Sequence, residues 1–320
     1  MATEEAARRI DWIQFAVRRQ LHRSCAVVQL SGGIDSATVL HLAVAALGPE
    51  NVHAYYLPDG ASSPDSRNYA QLAAESVGCP LSVSDITTIV ESSQVGMGIT
   101  DLIKRYFTAF DATEHGYSLN FNPQESLRLG VPVYILSIGL RNGEPVESAT
   151  LKSEDIRTIV ASQNVKQRIR MSIAYRQAEQ LHGAVLGCSN RDEIALGFVV
   201  KHGDDAADIY PIADLDKDSV VTLGSGIGVP REIINRIPTT DTYSLEQPQT
   251  SYYYGFDRAL MNELVNAKNS YDVAAIIERY GYGKDTVAAF SGLTNAWKRT
   301  AMYNHSRLTY PYPGKSHEKD

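Results

Sequence analysis

The sequence predicts an α/β fold, a doubly wound parallel sheet with helices on both faces. Three features carry that expectation. Apolar strand-like runs alternate with helical runs from the N-terminus onward. One such junction, "AVVQLSGGIDSATVLHLAVAAL" at 26–47, passes from strand to helix through two glycines. A second strand–helix unit follows well downstream, after residue 182.

The elements follow in order. Residues 4–22 place Ile10, Ile13, Phe15, Val17 and Leu21 at helical spacing between charges, which predicts an amphipathic helix. Strands are predicted near 25–30 and 51–57, each followed by a helix, near 34–47 and 65–77. Residues 164–182, "NVKQRIRMSIAYRQAEQLH", form another helix, followed by the strand "GAVLG" and a helix from about 191. Residues 105–150 break the pattern with scattered turn formers and one apolar run, "VPVYILSIGL". They are expected to be an insertion that packs on the core or caps a site; the pattern leaves both open. Residues 238–255 are polar and tyrosine-rich without a helical period, the mark of a long mobile loop. One domain is expected over 1–308, with a frayed tail at 309–320.

Composition bounds the function. At 43% hydrophobic and 21% charged, the 320 residues resemble an ordinary folded soluble chain. A net charge of −7 argues against a general grip on nucleic acid. No apolar run is long enough to span a bilayer, and "MATEEAARRIDW" does not read as a signal peptide, so no membrane partner is expected. Cys25, Cys79 and Cys188 are far apart, which suits neither a disulfide framework nor a zinc site and makes a reducing cytoplasm the expected location.

The junction at 31–36 carries chemistry. Gly32 and Gly33 let backbone approach a ligand without a Cβ in the way. A helix start offers N–H groups and positive dipole to an anion. Ser31 and Ser36 add hydroxyls. Asp35 would repel a phosphate unless a cation lay between, which predicts Mg2+ against nucleotide phosphates. The same residues could also form a plain helix cap over a tight glycine turn. The lysine of a Walker loop is absent, so a kinase-like grip is not supported.

"SGGIDS" resembles the SGGxDS loop of the ATP pyrophosphatases, shared by GMP, asparagine, argininosuccinate and NAD synthetases and by tRNA thiolases. "NVKQRIRM" at 164–171 and "LGCSNRDEIALGFVVKHGDDAADIYPIADLDK" at 186–217 narrow the choice. Both resemble the ammonia-dependent NAD synthetases, over about 55 continuous residues, with weaker similarity in "GVPREIINRIPTTD" and "WKRTAMYNHSRL". The resemblance implies an adenine nucleotide alpha hydrolase-like fold. It implies ATP contacts at Ser31, Gly32, Gly33, Asp35, Ser36, Arg170, Cys188, Lys217 and Thr239. It implies second-substrate contacts at Asn164, Arg168, Lys201, Asp204, Asp208 and Lys298. Asp35 and Glu193 are the expected metal ligands and, with Lys217, the expected catalytic residues.

The implied reaction attaches AMP to a carboxylate of nicotinic acid adenine dinucleotide, then lets ammonia displace the AMP. A homodimer is implied too. No glutamine-hydrolysing part is expected, so free ammonia, another amine or a separate glutaminase would supply nitrogen. Departures from the family pattern leave the ATP side nearly intact, with one lost hydroxyl near ATP at position 188, and remodel the acid-binding side. Cys188 replaces a threonine, "GDDAAD" at 203–208 replaces GDGGAD, and "SYYYGF" at 251–256 replaces an acidic segment. A family cousin amidating a different carboxylic acid is the alternative. A thiolase would need paired cysteines and a basic face, and a non-catalytic nucleotide sensor would be expected to have lost Asp35 or Glu193.

Overall fold

The computed structural model describes residues 2–93, 96, 98–141, 143, 145–236, 243–245 and 255–305. The parallel sheet comprises β1 (Cys25–Gln29), β2 (Val52–Tyr56), β3 (Leu81–Val83) and β7 (Gly183–Leu186), in the order β3-β2-β1-β7. The linking helices are α2 (Ile34–Leu47), α3 (Pro64–Ser76) and α7 (Ser153–Leu181), with α1 (Ala2–Phe15) preceding the sheet. The predicted doubly wound architecture is present, with α2 and β1 at their expected limits.

Strand periodicity sets the two faces. Ala26, Val28, Ala184 and Leu186 pack among the buried residues of α1, α2 and α9 (Lys217–Gly226). Their neighbours Val27 and Val185 instead meet Met171, Ala174 and Ala178 of α7. Because α2 lies between the sheet, α1, α3 and α9, residues Ala37 to Ala43 are all buried. That explains its nearly all-round apolar sequence.

The one imidazole in that helix is informative. His41 is buried, with Nε2 3.0 Å from Ser76 Oγ and Nδ1 3.4 Å from the Ile227 carbonyl oxygen. Burial pushes its pKa below the ordinary 6.5, against the carbonyl's weaker upward pull. The unfolded chain therefore takes up a proton that the fold resists. This stabilising contribution is complete above pH 6.5 and declines as pH falls toward the depressed value. His41→Gln is expected to flatten that part of the stability curve, as read by urea denaturation between about pH 7 and pH 5. An unaltered slope would assign the effect elsewhere.

Within residues 105–150 lies a second sheet. Strands β4 (His115–Phe121), β5 (Tyr134–Leu140) and β6 (Glu147–Thr150) pair antiparallel in that order, with α6 (Pro123–Leu129) between the first two. Before them lie two short helices, α4 (Thr87–Ser92) and α5 (Ile99–Tyr106). Leu119, Leu136 and Ile138 bury against Ile99, Leu102 and Ile103 of α5 and against Ile159 of α7. The insertion thus packs on the first half of α7. That half begins eleven residues earlier than the predicted 164, from Ser153. Its polar residues hid it: Asp155 is buried under Tyr106 Oη at 2.6 Å, and Gln163 Nε2 donates to Tyr117 Oη at 2.6 Å.

The described part of the long loop, residues 243–245, lies along β4. Leu245 N donates to the Tyr117 carbonyl at 3.1 Å, and Tyr117 N donates to Ser244 Oγ at 3.1 Å. Gly116 permits this approach, since a Cβ there would stand 2.5 Å from the Ser244 carbonyl oxygen. The rest of the predicted loop at 238–255, apart from Gly255, lies outside the described residues, as does the tail.

The remaining helices are α8 (Arg191–Leu196), α10 (Arg231–Ile234), α11 (Arg258–Asn266), α12 (Ser270–Arg279) and α13 (Val287–His305). Leu260, Leu264, Ile277, Phe290 and Trp297 form a separate core with Leu196. Asn304 Nδ2 then donates to the carbonyls of Gly197 and Val199, each at 2.9 Å, tying the end of α13 to the loop after α8. Among the described residues, no helix is long and apolar enough to cross a membrane.

Candidate active site

The strand order creates a switch point. From β1 the chain winds outward through β2 and β3, and α7 carries it back to β7 on the other side of β1. The segments leaving β1 and β7 therefore diverge and open a crevice at their carboxyl ends, where ligands bind in such sheets. A cavity of about 260 Å³ occupies it, lined by parts of the 31–36 turn, Gly187 to Ser189 and side chains from α7, α8, α9 and α10.

The turn at 31–36 is held from within. Ser36 Oγ accepts from Ser31 N at 3.2 Å and donates to the Gly33 carbonyl at 3.0 Å, while Ser31 Oγ accepts from Gly33 N at 3.3 Å. The two glycines differ. Gly32 has φ +78°, and a Cβ there would lie 2.5 Å from the Ser66 carbonyl oxygen, so glycine is needed. Gly33 has an ordinary φ of −92° and serves as the N-cap of α2 without any side-chain cap. The plain capping alternative does not describe this turn, because neither Ser31 nor Asp35 caps the helix. The uncapped start of α2 would offer an anion unmatched N–H polarity.

Asp35 instead belongs to a charged cluster. Its Oδ2 pairs with Lys217 Nζ, and its Oδ1 accepts from Asn190 Nδ2 at 3.2 Å. Lys217 is the first residue of α9 and only 5% exposed, its backbone N held by Asp192 at 3.0 Å. Burial alone would lower the lysine's pKa, but the charges of Asp35 and Glu193 outweigh it and hold the ammonium form. Glu193 forms a capping box with Asn190 at the start of α8, with contacts of 3.0 and 3.2 Å. Burial first, and then the charge of Asp35, push Glu193 up to about 8. A buried Glu193 carboxyl that feels the charge of Asp35 favours a cation nearby.

Cys188 lines the same cavity. Burial, reinforced by Asp35 and Glu193, raises its pKa strongly, so it stays a neutral thiol without nucleophilic activation. Arg170 reaches the cavity from α7, its Nε donating to the Leu57 carbonyl at 2.8 Å. Asp204 also lines it, its carboxyl pushed up to about 6 by burial.

Of the residues the sequence singled out, the cavity gathers Ser31, Gly33, Asp35, Ser36, Arg170, Cys188, Glu193, Asp204 and Lys217, with Gly32 shaping the turn behind it. Others stand apart. Arg168 is exposed and donates to the Lys201 carbonyl at 3.1 Å. Lys201 lies over the Tyr303 ring at 4.4 Å and donates to its carbonyl at 2.8 Å. Asp208 accepts from Val185 N at 2.7 Å and completes the outer edge of β7. Lys298 donates to the Ala267 carbonyl, and Asn164 sits half-buried on α7 away from the cavity lining. Thr239 lies outside the described residues.

Arg236 was not among those residues, though it lines the cavity. It donates to the Gly32 carbonyl at 3.2 Å and to Ser66 Oγ at 2.9 Å, and stacks over Tyr69 at 4.7 Å. Its one sequence signal was its position in "GVPREIINRIPTTD", a stretch of weaker similarity.

An α/β sheet whose switch-point crevice holds an uncapped helix start, three acids and three cations defines a nucleotide-binding protein. Comparison with known proteins narrows the class. The family model described as NAD synthase matches residues 5–106 and 130–300, leaving β4 and α6 outside it. The chain belongs to the NAD synthase family. It is 37% identical over 243 residues to an ammonia-dependent NAD(+) synthetase of Rhizobium meliloti, spanning 75% of this chain and 72% of that protein. It is 32% identical over 318 residues to the like-named protein of Mesorhizobium japonicum, spanning 96% and 95%. Its fold is similar to that of an NH3-dependent NAD synthetase from Campylobacter jejuni, with a TM-score of 0.61 at 18% identity over 97% of this chain and 99% of the other. An NMN synthetase from Francisella tularensis is similar in fold too, with a TM-score of 0.63 at 19% identity over 97% and 98%.

Proposed function

We propose that the chain is an ATP-dependent carbon–nitrogen ligase that converts nicotinic acid adenine dinucleotide and ammonia to NAD, AMP and pyrophosphate. The observation that carries this reading is the Asp35–Lys217 pair beside the uncapped start of α2 in the switch-point crevice. The relatives' names favour the dinucleotide acid over another carboxylic acid.

In the first step the substrate carboxylate attacks the α-phosphorus of ATP and pyrophosphate leaves. Backbone N–H groups of the 31–36 turn receive the departing diphosphate. Lys217, Arg170 and Arg236 offset the charge that develops on it. In the second step ammonia attacks the acyl carbon, AMP departs with the carboxylate oxygen, and a proton is released. The residues are asked for alignment and exclusion of water, with no covalent intermediate on the enzyme. The neutral thiol of Cys188 suits that division of labour.

Two oxygen-donor acids beside an anion cradle fit Mg2+, which keeps few protein ligands and shares phosphate oxygens. Asp35 and Glu193 would hold it, and the ion would supply charge neutralisation at the phosphates. A cation there would draw the Glu193 proton off, reversing the rise that burial and Asp35 impose. We take residues 1–308 as one functional unit and a homodimer as its working state. Ammonia is the nitrogen source.

Incubating the purified chain with Mg·ATP, ammonium and nicotinic acid adenine dinucleotide should give equal amounts of AMP, pyrophosphate and NAD. Release of ADP and phosphate would overturn the adenylation mechanism, and AMP formation only with another acid would overturn the substrate. Arg236→Gln is expected to raise the KM for ATP about tenfold, the value of one charged hydrogen bond. Arg168→Ala, outside the cavity, should leave that KM within about twofold. The reverse order in steady-state kinetics would move the nucleotide to the other face of α7.

A further inference from the structure

The segment that leaves β2, "LPDGASS", buries a carboxylate that no motif required. Asp59 is 7% exposed and works in two directions. Its Oδ1 accepts from Ala61 N at 2.7 Å, and its backbone N donates to Ser62 Oγ at 3.1 Å, closing a turn whose Ser62 lines the nucleotide cavity. Its Oδ2 faces α7, where it lies 3.0 Å from Arg170 Nη2 and 3.5 Å from Lys166 Nζ. Lys166 and Arg170 are four residues apart, so they project from one face of the helix.

Arg170 is thereby held at two points. Nε meets the Leu57 carbonyl and Nη2 meets Asp59, which fixes the plane of the guanidinium. An arginine without such a clamp would sample many rotamers and lose entropy on meeting phosphate. A buried carboxylate near a polyphosphate site is otherwise unfavourable, because its charge opposes the ligand.

We propose that Asp59 is a positioning residue for adenylation: it clamps Arg170, with Lys166 as second partner, so that the guanidinium meets the nucleotide phosphates in one orientation. This rests on the reading of Arg170 as a phosphate contact. Asp59 itself touches no substrate. Its charge disfavours ground-state anion binding while its clamp favours the transition state, so its removal acts on turnover more than on affinity.

Asp59→Asn separates the two directions. One amide oxygen can serve Ala61 N or Arg170, not both, and keeping the turn leaves an NH2 group against the guanidinium. Pyrophosphate release should show kcat lowered about tenfold or more, with the KM for ATP within about threefold. In an Arg170→Gln background, Asp59→Asn should change kcat by less than about twofold, because the clamp has nothing left to hold. Equal losses in both backgrounds, or an unaltered kcat, overturn the proposal. If Arg170→Gln alone leaves kcat/KM for ATP unchanged, it is the phosphate-contact reading that fails. Should Asp59→Asn not fold, Arg170→Lys tests the same clamp, since it keeps the charge and loses the plane. It should lower kcat to a similar extent, and full turnover with lysine overturns the proposal.

Discussion

Lys217→Met should lower turnover by about a thousandfold and destabilise the fold by about 3–5 kcal/mol, the usual cost of removing one partner of a buried ion pair. Methionine keeps most of the lysine stem's volume, so the loss isolates the charge. The lysine is buried, pairs with Asp35 and restrains the proton affinity of Glu193. Without it the burial and the Asp35 charge that raise Glu193 are less opposed, and this acid keeps its proton to still higher pH. Adding Asp35→Asn to Lys217→Met should recover much of the stability, because the stranded carboxylate is gone, and recover none of the turnover. Thermal denaturation and pyrophosphate release read the two effects separately. Turnover within about tenfold of the native enzyme in Lys217→Met would remove this lysine from the chemistry.

Gly32→Val should cost about 3 kcal/mol or more and abolish measurable ATP binding, through backbone strain and collision together. At φ +78° a branched residue is strained before any contact is considered. Its Cβ would also stand 2.5 Å from the Ser66 carbonyl oxygen, 3.0 Å from Tyr69 Cβ and 3.1 Å from Arg236 Nη1. The turn can relieve this only by moving away from α3, which breaks the serine network and displaces Arg236. Gly33→Ala makes the control. Its φ is ordinary and the nearest atom is Ser31 Oγ at 3.3 Å, so it should cost less than about 1 kcal/mol. Urea denaturation and calorimetric ATP titration give the comparison. Similar losses for both would mean that backbone conformation does not distinguish the glycines.

Local signals carried much of the fold and the cradle. The period of apolar residues marked α1, β1 and α2, and the Gly–Gly turn marked a ligand-facing helix start, because each depends on neighbours a few residues apart. The insertion resisted such a reading. Its strands alternate buried leucine, isoleucine and phenylalanine with serine and asparagine, yet glycines and asparagines between them resemble loop. The front of α7 was hidden because Asp155 and Gln163 are buried there through hydrogen bonds to Tyr106 and Tyr117, residues of the inserted segment.

Residue order alone was enough for the doubly wound class and for the 31–36 turn with its Asp35, while the family resemblance added Arg170 and Lys217, and Arg236 went unmarked. Which of them meet was settled by the packing of distant elements. Lys217 and Asp35 are separated by 182 residues, Arg170 and Asp59 by 111, and Arg236 and Gly32 by 204. Their contacts depend on strand order and on how α7, α9 and α10 lie against the sheet. Lone charged residues have no periodicity to reveal which way they face. Arg168 and Arg170, two positions apart on one helix, end on different sides of the wall for that reason.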